Sequence, residues 1–72
     1  MTANEALVKH LDSLFDANPA EARRVVRRIK DRCGISSPVF SNWRRGVTLI
    51  RKLQRNEITQ ILGVNIFENV TD

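Results

Sequence analysis

A chain of 72 residues with a net charge of +4 is one small domain. Surface-to-volume scaling lets it bury only about 60% of its unfolded surface, which leaves no room for a separate ligand domain. One cysteine, Cys33, and one histidine, His10, exclude an intrachain disulfide and any residue spacing suited to zinc.

The net charge hides a strong segregation. Between Arg23 and Arg55 eleven basic residues face one acid, Asp31, whereas the flanks hold Lys9 against seven acids. A segment so loaded points to a polyanionic partner. Arginine outnumbers lysine nine to three, and its planar fork matches phosphate and guanine better than an ammonium does. No Ser/His/Asp set, metal-ligand cluster or glycine-rich phosphate loop is visible, so neither an enzyme nor a cofactor is expected. Apolar runs are too short to span a membrane. The opening MTANEALVKHLDSLF carries Glu5 and Asp12 where a signal peptide needs a clean apolar core, and an unpaired cysteine suits a reducing compartment. The expectation is a soluble, cytoplasmic protein.

Over residues 4–16, Leu7, Val8, Leu11, Leu14 and Phe15 recur at helical spacing and predict a first helix with one apolar stripe and His10 on its polar side. The following DANPAE stops it and starts another. Asn18 can cap, Pro19 suits the first helical position, and Glu21 can reach back to the cap. The second helix runs from Pro19 to about Arg32, with Ala22, Val25, Val26, Ile29 and Cys33 on one face, and Gly34 ends it in a left-handed conformation. Cys33 is then a small buried hydrophobe. Ser36 reads as the N-cap of a third helix with Pro38 in its first turn. Val39, Phe40 and Trp43 form its inner face, and Gly46 ends it. The β-branched stretch VTLI is extended or turning chain. A fourth helix from about Arg51 carries Gln54, Ile58, Ile61 and Leu62 inward and closes at Gly63, after which VNIFENV must pack on something. The fold class is therefore all-α, a compact bundle of four to five short helices in a single domain, residues 1–72.

A helix, a glycine turn and a short second helix make a helix-turn-helix: the turn needs a positive φ, and the second helix must bury large side chains against the first. Gly34 supplies the turn, and Ile35, Phe40 and Trp43 have the spacing to be buried. Ser37, Pro38, Ser41, Asn42 and Arg45 fall on the outer face, with Arg44 at its margin. Ser36 is a cap first and a phosphate contact second.

The stretch CGISSPVFSNWRRG resembles the helix-turn-helix of lambda-repressor-like DNA-binding proteins, especially short bacterial and phage regulators. Gly34 in the turn, Ile35 and Ser36 directly after it, Phe40 and Trp43 match the family pattern in register. The following RKLQRNEITQILGVNIF is similar to the helix after the motif, and the resemblance covers roughly residues 20 to 67. It does not extend to Lys30, where the family usually has alanine because the helices cross closely there. A lysine stem can pack beside such a crossing while its ammonium reaches solvent.

The resemblance implies a sequence-specific binder of double-stranded DNA that regulates transcription as a repressor, in a bacterial or phage-infected cell at the nucleoid. Ser37, Pro38, Ser41, Asn42 and Arg45 would contact bases, Arg45 pairing with guanine and Asn42 with adenine. Arg24, Arg27, Arg28, Ser36, Arg44, Arg51 and Lys52 would contact phosphate. One short recognition helix reads few base pairs, so a homodimer on DNA is expected, joined through the first helix or the VNIFENV tail. The competing expectation is a small protein-interaction module, antitoxin-like or a phage protein that binds a host factor, setting its basic face on an acidic partner.

Overall fold

The structure, a computed structural model, describes residues 1–71. Four helices follow in order: α1 (Ala3–Ala17), α2 (Pro19–Cys33), α3 (Ser37–Arg44) and α4 (Lys52–Leu62). No strand occurs among the described residues, and the all-α bundle has four helices.

Each boundary has a local chemical cause. Thr2 and Glu5 cap α1 reciprocally, Glu5 N–H donating to Thr2 Oγ1 at 3.1 Å and Thr2 N–H to Glu5 Oε1 at 3.0 Å, which satisfies two otherwise orphaned donors. Asn18 caps α2 by accepting from the Glu21 N–H at 3.2 Å. The Glu21 carboxylate pairs with Arg24 at 3.0 Å one turn ahead on the helix. Ser36 caps α3 by accepting from the Val39 N–H at 3.4 Å.

The two ends of the central motif share one geometry. At Gly34, φ is 64°; its N–H donates to the Asp31 carbonyl, and the Ile35 N–H donates to the Lys30 carbonyl. At Gly46, φ is 74°, with the Gly46 N–H on the Trp43 carbonyl and the Val47 N–H on the Asn42 carbonyl. Both are Schellman closures, in which a left-handed residue lets the chain turn back onto the last carbonyls of the helix. Glycine takes that φ without the Cβ penalty of about 1–2 kcal/mol.

The core is one cluster of Leu7, Leu11, Val25, Ile29, Phe40, Trp43, Ile50, Ile58 and Phe67 with small residues of α1. Helix α1 packs against both α2 and α3, and α2 packs against α4. Phe40 and Trp43 are buried as expected, but α3 leans on α1 and shares little backbone contact with α2. Val39, expected on the inner face, is 36% exposed. It sits on the flank of α3, beside Leu49 and Arg51. The C-terminal segment does pack: Phe67 is buried, Ile66 and Val70 rest against the core, and Thr71 N–H donates to the Met1 carbonyl at 3.1 Å. His10 is half-buried, beside Met1 and Ile66, so it is less solvated than its place on the helix suggests.

One polar residue lies inside. Asn4 is 4% exposed; its amide donates to the carbonyls of Trp43 at 2.9 Å and Thr48 at 2.7 Å. Its Oδ1 accepts from the Ile50 N–H at 3.4 Å. These bonds tie α1 to the chain that leaves α3. Replacing Asn4 by alanine would strand three backbone groups, at a cost of about 2–4 kcal/mol. The thermal midpoint is therefore expected to fall by about 10 °C or more in a circular-dichroism melt.

Candidate nucleic-acid interface

Helix α3 is held on both sides. On one flank Arg44 Nη2 pairs with Asp12 Oδ1 of α1 at 3.0 Å, and Lys30 Nζ of α2 donates to Ser37 Oγ at 3.1 Å. On the other flank, Val39 and Trp43 border a shallow groove closed by Thr48, Leu49, Arg51 and Gln54. With Phe40 and Trp43 facing inward, helical geometry turns Pro38, Ser41, Asn42 and Arg45 to the opposite side. Pro38, Ser41 and Arg45 are exposed and Asn42 is half-buried.

Four of the five expected base contacts therefore share one outward face, and Ser37 stands at its edge, engaged by Lys30. Arg45 Nη2 donates to Asn42 Oδ1 at 2.9 Å, a link between two residues expected to read separate bases. It holds the guanidinium in a defined direction without cancelling its charge.

The expected phosphate contacts are more dispersed. Ser36 faces its own helix N-terminus as a cap. Arg44 carries a carboxylate partner, and so does Arg24. Arg27 and Arg28 are exposed without an ion-pair partner among the described residues. Arg51 and Lys52 are exposed at the start of α4, whose first turn holds no acid. The acidic edge of α1 runs beside α3: Glu5, Asp12 and Asp16 line a cleft together with Arg44 and Arg45. This edge bounds the basic surface on the α1 side.

Sequence reasoning missed three contributors. Asn4 looks like any surface residue in the first turn of a helix, and only its tertiary partners reveal its role. Arg32 is drawn to α4, where its Nη2 lies 2.6 Å from Glu57 Oε2 and donates to Gln60 Oε1 at 3.1 Å. Val47, Leu49 and Leu53 are each exposed, Leu53 being 81% exposed, on a stretch whose composition resembles core.

Among the described residues no group of three or more His, Cys, Asp or Glu is placed to hold a metal ion, and no helix is long and apolar enough to cross a membrane. Comparison with family models, with curated proteins and with solved structures returns no match.

Burial pushes the Cys33 thiol above its usual range, the Glu57 carboxylate adds to that shift, and Arg32 opposes it. A raised thiol pKa means less thiolate at neutral pH and a poorer nucleophile. Alkylation of native Cys33 at pH 7.5 is therefore expected to run slower than that of free cysteine, and unfolding should abolish the difference. A native rate equal to that of free cysteine would contradict the burial described here.

Proposed function

We propose that this chain is a sequence-specific binder of duplex DNA and a transcriptional repressor, with α3 as the element that enters the major groove. The observation that carries the reading is the outward face of α3. It presents Pro38, Ser41, Asn42 and Arg45 with no carboxylate among them, on a short helix capped by Ser36 at its start and closed by Gly46 at its end. An arginine held in direction is suited to the paired acceptors on guanine, and a proline ring to a thymine methyl. Because the Asn42 carbonyl oxygen already accepts from Arg45, Asn42 serves this reading first as the support of Arg45 and second as a reader of adenine.

Arginines and lysines around this face supply the grip that does not depend on sequence. If six phosphates are neutralised, log affinity should fall with log salt at a slope of about −5. The reading extends to a homodimer on DNA, since one helix of this length covers few base pairs, and to a place at the nucleoid of a bacterial or phage-infected cell. Leu7 and Leu11 of α1 and Phe67 of the tail lie in the chain's own core, so a dimer through the first helix or the tail would use the exposed side chains of those segments. A protein-interaction module is the second reading. The exposed Val47, Leu49 and Leu53, close in sequence to the exposed Arg51 and Lys52, favour it, because exposed apolar side chains near cations suit an acidic partner.

Selection of duplexes from a random pool at near-physiological salt separates the two. The native chain is expected to enrich a motif that the Asn42→Ala, Arg45→Ala variant loses, with about 1–3 kcal/mol of discrimination per paired base contact. Binding without enrichment would reduce the protein to a non-specific DNA binder. Absence of binding would leave the protein-interaction reading in front.

A further inference from the structure

Helix α2 carries six basic residues between Arg23 and Arg32, and the structure divides them between two flanks. The inward direction is set by the buried Ala22, Val25 and Ile29. At 100° per residue, Lys30 lies somewhat more than a quarter turn to one side of that direction and Arg32 somewhat less than a quarter turn to the other. Their contacts identify the sides: Lys30 Nζ reaches Ser37 of α3 at 3.1 Å, while Arg32 Nη2 reaches Gln60 of α4 at 3.1 Å. Arg23 and Arg27 fall at i, i+4 on the side of Lys30, and Arg24 and Arg28 at i, i+4 on the side of Arg32.

The paired carboxylates, Glu21 and Glu57, follow the same division, while Asp31 makes no ion pair among the described residues. Glu21 pairs with Arg24 at 3.0 Å, and Glu57 lies 2.6 Å from Arg32, both on the α4 flank. On the α3 flank Arg23, Arg27 and Lys30 have no ion-pair partner among the described residues, and Arg23 and Arg27 are exposed. One flank thus keeps three uncompensated charges, and the other keeps one, on Arg28.

We propose that Arg23, Arg27 and Lys30 form the phosphate-binding stripe of α2, continuous with Ser37 at the start of α3, and that Arg24 and Arg28 lie outside the DNA interface. Arg23 thereby enters the contact set, and Arg24 and Arg28, expected from sequence to touch phosphate, leave it. Helix direction and ion pairing are separate observations, and they select the same flank. The assignment rests on the DNA-binding reading above and sharpens it, because it names the side of α2 along which the duplex backbone runs.

Two double variants, each removing two positive charges from the same helix, test it. Glutamine keeps the helix propensity of arginine. Affinity for a short labelled duplex of random sequence is measured over a series of salt concentrations, with a melting curve for each protein. Arg23→Gln, Arg27→Gln is expected to weaken binding about tenfold or more near 0.1 M salt and to flatten the log-log slope by about 2. Arg24→Gln, Arg28→Gln is expected to stay within about twofold with a nearly unchanged slope, even though it releases the Glu21 carboxylate. Should a double variant fail to fold, the single variants carry the same comparison, Arg23→Gln and Arg27→Gln each flattening the slope by about 1. Equal losses on the two flanks, or a larger loss for the Arg24 and Arg28 pair, would overturn the assignment and leave DNA binding standing. A native chain that binds no duplex at any salt overturns both.

Discussion

The arrangement of α3 depends on a buried amide. The chain from Trp43 to Ile50 leaves a helix, turns at Gly46 and crosses the core edge without regular structure, so its backbone groups lack the partners that a helix or sheet would provide. Asn4 meets that need from α1, with donors to Trp43 and Thr48 and an acceptor for Ile50. An amide is the side chain that can serve two carbonyls and one N–H at once. Leucine would fit the cavity's polarity worse than its shape, since leaving a buried backbone group unpaired costs about 1–3 kcal/mol. In a domain of this size, where total stability is about 5–15 kcal/mol, one such residue decides whether the exit of α3 is fixed.

Electrostatics then shapes the surface that this scaffold carries. Acids flanking the basic segment pair with it: Asp12 of α1 with Arg44, Glu57 of α4 with Arg32, and Glu21 with Arg24 one turn away on the same helix. The Asp12 and Glu21 pairs are largely exposed and contribute little to stability, while Glu57 is half-buried. Their effect is to cancel charge selectively, along the α1 edge and the α4 flank. Charge without an ion-pair partner among the described residues remains on the outward face of α3 and the adjoining flank of α2, and also on Arg28, Arg51 and Lys52. The segregation along the sequence becomes a segregation in space.

Helix extents and caps were legible because they are set locally. Asn18-Pro19, Gly34, Ser36 with Pro38, Gly46 and Gly63 act within one or two turns of chain, and each bounds the helix it was expected to bound. Tertiary partners were not legible. Nothing about Val39 in sequence says that it lies on a flank with Leu49 instead of under the helix, because its position at i relative to Phe40 and Trp43 fits either. Nothing about Arg24 or Arg28 distinguishes them from Arg23 and Arg27 until Lys30 and Arg32 reveal which neighbour each flank meets. The outward face of α3 was readable for a simpler reason: on an eight-residue helix, fixing Phe40 and Trp43 inward fixes the rest.

Lys30 links these points. In a tight helix-turn-helix a small residue at this place lets the two helices touch, and their contact sets the angle of the second. Here the lysine side chain reaches from α2 to Ser37 with its ammonium in an exposed hydrogen bond, while the backbones of α2 and α3 share little contact. The angle must then be set elsewhere, and α1 provides the means: Asn4 holds the carbonyl of Trp43 and Asp12 holds Arg44, both near the C-terminal end of α3. The outward helix is thus steadied at its start by a flexible polar link to α2 and at its end by two bonds to α1. An element so mounted takes its orientation chiefly from α1, so residues in the first helix of the chain, far in sequence from the exposed face, govern how that face is presented.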